Sequence, residues 1–435
     1  MKPVRVGICG LGTVASGTIN VLKRNSARIN SRAGREIEIV QVASRRKRDN
    51  CDLTGISFTT DIFAVASNPE VDVLVELIGG YDVAEQLVTK ALENGKHVVT
   101  ANKALIAVHG TKLFEIAREH NVTISFEAGV AGGIPVLKAL KEGLAANQIN
   151  WLVGIINGTG NFILTEMRDK GRDFADVLRE AQGLGYAEAD PTFDVEGIDA
   201  AHKLTILASV AFGVPLQFDS AFTQGISDIS TIDVEHAEEL GYRIKHLGIA
   251  RKRFDGIELR VHPTLVKEQT MIAKVDGVMN AVLVDGDAVG QTLYYGAGAG
   301  SEATASAVIA DIVDVAKGFG SGVSNAISPL GFDPDDIKSC KVLPMDDVVS
   351  AYYLRILAKD SPGVLAKVAS ILSERGINIE SVMQRESELN DGRIPMMMLT
   401  HEVEEKQIKA AIAAIEALDD IDGKVVMIRV EHFPG

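Results

Sequence analysis

The chain is poor in cysteine. Its 435 residues include three, Cys9, Cys51 and Cys340, none in a Cys-x-x-Cys spacing. That excludes a disulfide-stapled scaffold and a cysteine-based zinc site, and fits a reducing, cytoplasmic setting. No uninterrupted apolar run is long enough to span a bilayer, and the first residues read as a strand, VRVGICG, rather than a basic leader. Positive charge is also short. The formal net charge of -15 argues against nucleic acid or an anionic membrane as a partner. What remains is an ordinary soluble composition, 46% hydrophobic and 24% charged, in a chain long enough for about three domains with sizeable cores.

What the chain does have is glycine where chemistry uses it. Val4 to Cys9 is a short apolar, β-rich run, followed by Gly10-Leu11-Gly12-Thr13-Val14-Ala15 and a helix expected over 16–25. Strand, tight turn and helix are the setting that the G-x-G-x-x-G/A fingerprint requires. Gly10 permits the turn, Gly12 lets backbone N–H groups approach a pyrophosphate, and small Ala15 lets helix and strand pack. Gly10, Leu11, Gly12, Thr13 and Val14 are therefore the expected dinucleotide-binding turn, with the helix N-terminus favouring the phosphates. A second strand is expected over 36–43, and its tip reads Ser44-Arg45-Arg46-Lys47-Arg48. An acid there would suit the ribose of NAD, whereas Arg suits a 2′-phosphate. Arg45 thus favours NADP, with NAD use left open; a solvated basic loop is the alternative. Further strands are expected over 71–78 and 96–100, with a helix over 84–94 between them. Their ends carry Gly79-Gly80 and Ala101-Asn102-Lys103. Ligands of an open α/β sheet sit beyond such ends, so Lys103 can meet the cofactor or a substrate carboxylate, unless it is a plain surface lysine.

Beyond 124–127 runs Ala128-Gly129-Val130-Ala131-Gly132-Gly133-Ile134-Pro135, a bend whose carbonyls suit a hard cation or only mark a domain crossover. Asn157-Gly158-Thr159-Gly160-Asn161 follows, and Tyr294 to Gly300 forms a second glycine turn before a small-residue helix over 304–315. That turn is suited to close over a dinucleotide, with ordinary turn glycines as the rival. The most telling stretch is 183–208, GLGYAEADPTFDVEGIDAAHKLTILA. Acids surround a Pro and several glycines, then a mostly apolar helix carries Asp199 and Lys203, four apart and on one face. Charges on a helix meant for burial are costly unless they pair or line a wet cleft. An exposed i,i+4 salt bridge is the bland alternative; the acid-rich loop and the dinucleotide turn favour Lys203 as a catalytic acid/base.

These pieces together resemble the homoserine dehydrogenases, the monofunctional type with a C-terminal amino-acid-sensing ACT domain. GICGLGTVASG, VELIGG, TANKALIA, FEAGVAGGIPV, NGTGNFIL, AEADPTFDVEGIDAAHKLTILA and YYGAGAGSEATASAVIADI occur in the family's order over most of 4–315. The resemblance implies reversible NAD(P)-dependent oxidation of L-homoserine to L-aspartate 4-semialdehyde, in threonine, methionine and isoleucine biosynthesis. It implies Lys203 as proton donor and acceptor with Asp199 beside it, and Glu188 and Asp194 on the substrate ammonium. Lys103 would lie near nicotinamide and substrate, and Gly185 and Gly300 near the cofactor. A sodium ion on Glu127, Val130, Gly132 and Ile134 is also implied. Ala15, where Gly is common, and Ala303, where Pro often precedes Thr304, are small departures.

The expected architecture is α/β: a Rossmann-type dinucleotide-binding domain (1–130, with a returning helix near 301–318), an α+β catalytic and dimerisation domain (131–320), a linker (321–349) and a ferredoxin-like ACT domain (350–435). The last region orders as β-α-β-β-α-β, and its DSPGVL and GINI segments resemble the ACT domain. Asp360, Gly363, Asn378 and Gln384 match its effector positions, which implies L-threonine as feedback inhibitor; a dimerisation module that binds nothing is the alternative. A homodimer or homotetramer is expected. As an appendage, 351–435 should be removable, leaving an active enzyme deaf to threonine. An aspartate-semialdehyde dehydrogenase would need a thiolate nucleophile, and none of the three cysteines is well placed. A non-catalytic regulator is disfavoured by the intact set of Glu188, Asp194, Asp199 and Lys203.

Overall fold

In the computed structural model, residues 2–48, 51–319, 328–384 and 392–433 are described. The first sheet comprises β1 (Val4–Cys9), β2 (Ile37–Ala43), β3 (Ser57–Thr59), β4 (Val73–Glu76), β5 (His97–Thr100) and β6 (Ile124–Ser125). All pair in parallel, in the order β3-β2-β1-β4-β5-β6. Val4, Val6, Ile8, Val73, Leu74 and Val75 are fully buried, as strands covered by helices on both faces require. The strand order reverses between β1 and β4, so the ligand crevice of this doubly wound sheet opens at their carboxyl ends. The helix after β1 spans Thr13–Arg24, starting three residues before the expected position because Gly12 itself is the N-cap.

The helix Ser301–Gly318 returns to this sheet, its Ser301 Oγ donating to Thr13 O at 2.8 Å. Val308 and Ile312 share one core with Val6 and Ile8.

The second sheet comprises β7 (Ile149–Ile155), β8 (Phe222–Thr223), β9 (Tyr242–Arg253), β10 (Gly256–Lys267), β11 (Met279–Gly286), β12 (Gly290–Ala297), β13 (Val349–Lys359), β14 (Ile379–Gln384), β15 (Arg393–Thr400), β16 (Val403–Glu404) and β17 (Val426–Glu431). Its main path runs β12-β11-β7-β9-β10-β17-β13-β15-β14. The catalytic and C-terminal regions, expected as separate domains, therefore share one sheet. Their seam is the parallel pair β10–β17, in the register Thr264↔Arg429, Leu265↔Val430 and Val266↔Glu431. Buried charges line it. Arg260 pairs with Glu258 at 2.8 Å and Glu431 at 2.6 Å, and Arg251 reaches Glu431 at 3.0 Å. Arg429 grips Glu405 through two bonds of 2.7 and 2.6 Å and donates to Gln224 Oε1 at 2.6 Å.

The first part of the expected linker, 321–327, lies outside the described residues. The stretch 328–348 is docked rather than free: Ile257 N donates to Lys341 O and Leu343 N to Ile257 O, both at 2.9 Å, and Leu330 is buried. Unpaired backbone at the start of β10 finds its partners there. Among the described residues no helix is long and apolar enough to cross a membrane.

Candidate active site

The helix Ile198–Phe212 is packed on nearly every side, so the two charges in its first turns must be compensated locally. Asp199, buried, accepts from Lys203 Nζ at 2.6 Å through Oδ2 and faces Lys103 Nζ at 3.2 Å through Oδ1. Burial opposes its ionisation; Lys203 and Lys103 overcome that and hold its carboxyl well below the usual range. Lys203 Nζ also donates to Ile156 O at 2.8 Å, just past the end of β7, and its side chain is 13% exposed. An ammonium carries three donors, so one N–H is left for a substrate oxygen. The bland alternative of an exposed salt bridge does not describe this pair.

Asn157 completes the cluster. It caps the helix Gly158–Lys170, with Oδ1 accepting from Gly160 N at 2.7 Å. Its Nδ2 donates to Asp194 Oδ1 at 2.8 Å and Asp199 Oδ2 at 2.9 Å. Burial, then the charge of Asp199, raises the Asp194 carboxyl above its ordinary value. Asp194, Asp199, Lys203 and Lys103 thus stand together. Glu188 does not join them: it is exposed on the loop that also bears Gly185, and its carboxylate makes no hydrogen bond or ion pair among the described residues. Sequence reasoning missed Asn157 as a site residue, although an Asn at a strand-to-helix junction is an N-cap signature.

At the carboxyl end of β1, Gly10 has φ +104, and a Cβ there would lie 2.5 Å from Leu77 O. Over Gly12 the space is open, with nothing within 4 Å of a Cβ position. No side chain caps the helix that starts at Thr13, nor the one that starts at Ser301 after Gly300. Uncapped N–H groups at two adjoining helix starts, beneath an open glycine turn, fit a pyrophosphate. Arg45, Arg46, Lys47 and Arg48 are exposed at the tip of β2 and pair with no acid among the described residues. Glu76, buried at the end of β4, accepts from Ile78 N, Gly79 N and Thr100 Oγ1 at 2.8, 3.0 and 2.5 Å and fixes the crevice floor.

Glu127 is buried behind the site, each oxygen accepting one backbone N–H, from Leu137 and Lys138 at 2.9 Å. Burial and the neighbouring Asp311 push its pKa up to about 7. The carbonyls of Val130 and Gly132 accept no hydrogen bond among the described residues, while Ile134 O accepts from Val136 N at 2.8 Å. No cluster of three or more His, Cys, Asp or Glu that could hold a metal occurs among the described residues. In the C-terminal region Asp360, Gly363, Asn378 and Gln384 are all exposed, but one chain does not bring all four together: Asp360 N donates to Gly392 O ahead of β15, whereas Asn378 O accepts from His401 N past its other end, both at 2.9 Å.

Comparison with known proteins agrees with this geometry. Residues 10–127 match the family model for the homoserine dehydrogenase NAD binding domain, 135–313 that for homoserine dehydrogenase, and 352–420 that for the ACT domain. A homoserine dehydrogenase of Pseudomonas aeruginosa is 66% identical over 99% of this chain and 100% of its own. A crystal structure of a homoserine dehydrogenase from Thiobacillus denitrificans aligns with a TM-score of 0.94 at 56% identity, over 99% of this chain and 98% of that one. A hyperthermophilic archaeal homoserine dehydrogenase in complex with NADPH aligns with a TM-score of 0.62 at 26% identity, over 73% of this chain and 99% of that one. With its three regions matched in order and relatives aligned from end to end, the chain belongs to the homoserine dehydrogenases, NAD(P)-dependent oxidoreductases, and carries a C-terminal ACT domain.

Proposed function

We propose that the chain interconverts L-homoserine and L-aspartate 4-semialdehyde with Lys203 as the proton donor and acceptor at the substrate oxygen. The observation that carries this is the Lys203 amine, held by Asp199 and Ile156 O with one N–H left over, in a partly buried site. The nicotinamide, when bound, supplies or takes up the hydride. In the reducing direction Lys203 gives its proton to the oxygen formed from the aldehyde; in the oxidising direction the neutral amine takes the hydroxyl proton. Asp199 orients that amine through its 2.6 Å hydrogen bond. Asp194 holds the substrate ammonium, joined by Glu188 through an inward movement of its exposed loop. Lys103 serves the substrate carboxylate and the nicotinamide end of the cofactor.

Gly10, Leu11, Gly12, Thr13 and Val14, with Gly185 and Gly300, would hold the dinucleotide. Arg45 would take the 2′-phosphate, making NADP the preferred cofactor with NAD as a weaker one; the archaeal relative solved with NADPH supports this. Glu127 with the carbonyls of Val130, Gly132 and Ile134 suits a monovalent hard cation such as sodium, since two buried acids lie where positive charge is wanted. Asp360, Gly363, Asn378 and Gln384 would bind L-threonine as feedback inhibitor where β14 edges of two copies meet, in a cytoplasmic homodimer or homotetramer of threonine and methionine biosynthesis. The decisive experiment is Lys203→Ala. Turnover should fall by about 10² to 10⁴ while NADPH binding, read by fluorescence, stays intact; undiminished turnover removes the role assigned to Lys203.

A further inference from the structure

The loop after β4 reaches across to the catalytic helix. Gly79 and Gly80, with φ of +74 and +77, turn the chain there, a conformation L side chains rarely adopt. Glu76 holds the loop's N–H groups, Asn102 Nδ2 donates to Gly80 O at 2.7 Å, and Leu77 O abuts Gly10, so the loop is anchored on the cofactor side. Its last residue, Tyr81, is 38% exposed, and its hydroxyl lies 3.2 Å from His202 Nε2. His202 is fully buried and precedes Lys203 in the chain. Its ring stacks on Phe218, 4.0 Å between centroids at 7°, and on Phe193, 5.4 Å at 26°. Phe193 precedes Asp194 in its short helix Thr192–Val195 and lies 5.8 Å beneath the Lys103 ammonium. Burial lowers the His202 pKa to about 4, so the imidazole stays neutral and the column does not change with pH near neutrality.

We propose that Tyr81 is a positioning residue for the reduction of the aldehyde: tied to His202, its ring fixes the width of the cleft between the cofactor crevice and the Lys203 amine. An unsupported tyrosine on a glycine loop would sweep several rotamers, whereas the tie and the stack behind it leave one. Reacting groups held in one geometry gain rate through orientation, and small misplacements are costly. The inference rests on the reading of Lys203 as acid/base. Lys203→Ala tests that reading separately, since Tyr81→Phe leaves the amine in place.

The test is a double-mutant cycle on kcat/KM for aspartate 4-semialdehyde, with Tyr81→Phe, His202→Leu and both together. Tyr81→Phe should lower kcat/KM by about tenfold, mainly through kcat. Its NADPH dissociation constant and melting temperature should stay those of the parent. The double variant should be no slower than His202→Leu alone, because both changes break one tie. With 4-deuterated NADPH, the isotope effect of Tyr81→Phe should exceed the parent's, as the chemical step becomes limiting. Should His202→Leu not fold, His202→Asn, too short to reach the phenol, replaces it in the cycle. Tyr81→Phe at the parent's kcat/KM, or losses that multiply independently, overturns the proposal.

Discussion

Lys103 Nζ lies 3.2 Å from Asp199 Oδ1 while Lys203 Nζ lies 2.6 Å from Asp199 Oδ2, so one buried carboxylate holds lysines from the cofactor side and the catalytic side. Asp199→Asn keeps the shape and removes the charge that both ammonium groups face. Turnover should fall by about 10²-fold, with NADPH binding unchanged in a fluorescence titration. Because the folded pKa of Asp199 is depressed, its contribution to stability is complete above the unfolded value near 3.8 and is lost only as pH falls below it. Thermal melts of parent and variant should therefore keep a constant separation from pH 5 to 9 and converge in acid.

Two glycines of one fingerprint should behave differently. Gly10→Ala meets Leu77 O at 2.5 Å and must adopt φ +104, so it should destabilise the fold by about 1–3 kcal/mol. Gly12→Ala meets nothing within 4 Å, so its melting temperature should match the parent's while NADPH affinity drops about tenfold or more. Equal stability losses for both would remove the assignment of Gly12 to the ligand.

Glu127 offers a test of the cation. Its folded pKa is raised to about 7 from 4.5, so the protein's stability should decline as pH rises from about 5 through 7, where the buried carboxyl must ionise. A bound sodium ion would favour the ionised form. Sodium chloride should then raise the melting temperature at pH 8 relative to tetramethylammonium chloride of equal strength, with the difference vanishing at pH 5 and in Glu127→Gln. No salt-specific difference at pH 8 would count against sodium.

The expected deletion of 351–435 must be replaced as a test of threonine sensing. It would strip β17 from β10 and leave Arg260 and Arg251 buried without Glu431. Removing one partner of a buried pair costs about 3–5 kcal/mol, so the truncated chain should unfold or aggregate. Asn378→Ala is the gentler change, at an exposed position just before the edge strand β14. It should abolish threonine inhibition and threonine binding by calorimetry at unchanged basal turnover. A parent enzyme that binds no threonine at millimolar concentration would leave the ACT domain as an assembly module.

What could be read from the sequence was local. The strand–glycine–helix start of the first sheet lies within about twenty residues, and Asp199 and Lys203 are one helical turn apart, so pattern alone brings them together. Asn157 escaped because its partners Asp194 and Asp199 are 37 and 42 residues away, and only folding reveals that its amide spans both. The β10–β17 seam was illegible for a similar reason. Thr264 and Arg429 pair across a separation that no hydrophobic period encodes, and strand register is set by tertiary packing. The Gly/Ser/Pro/Asp-rich stretch before β13 has the composition of a spacer, yet 328–348 docks, because the free edge of Ile257 offers it hydrogen bonds.

The carbonyl that steadies the Lys203 amine belongs to Ile156, the residue that follows the last one of β7. From that point an unbroken ladder runs through β9, β10, β17, β13 and β15 to the outermost strand β14. The far rim of the sheet and the oxygen that sets where the reactive nitrogen sits are thus parts of one hydrogen-bonded framework.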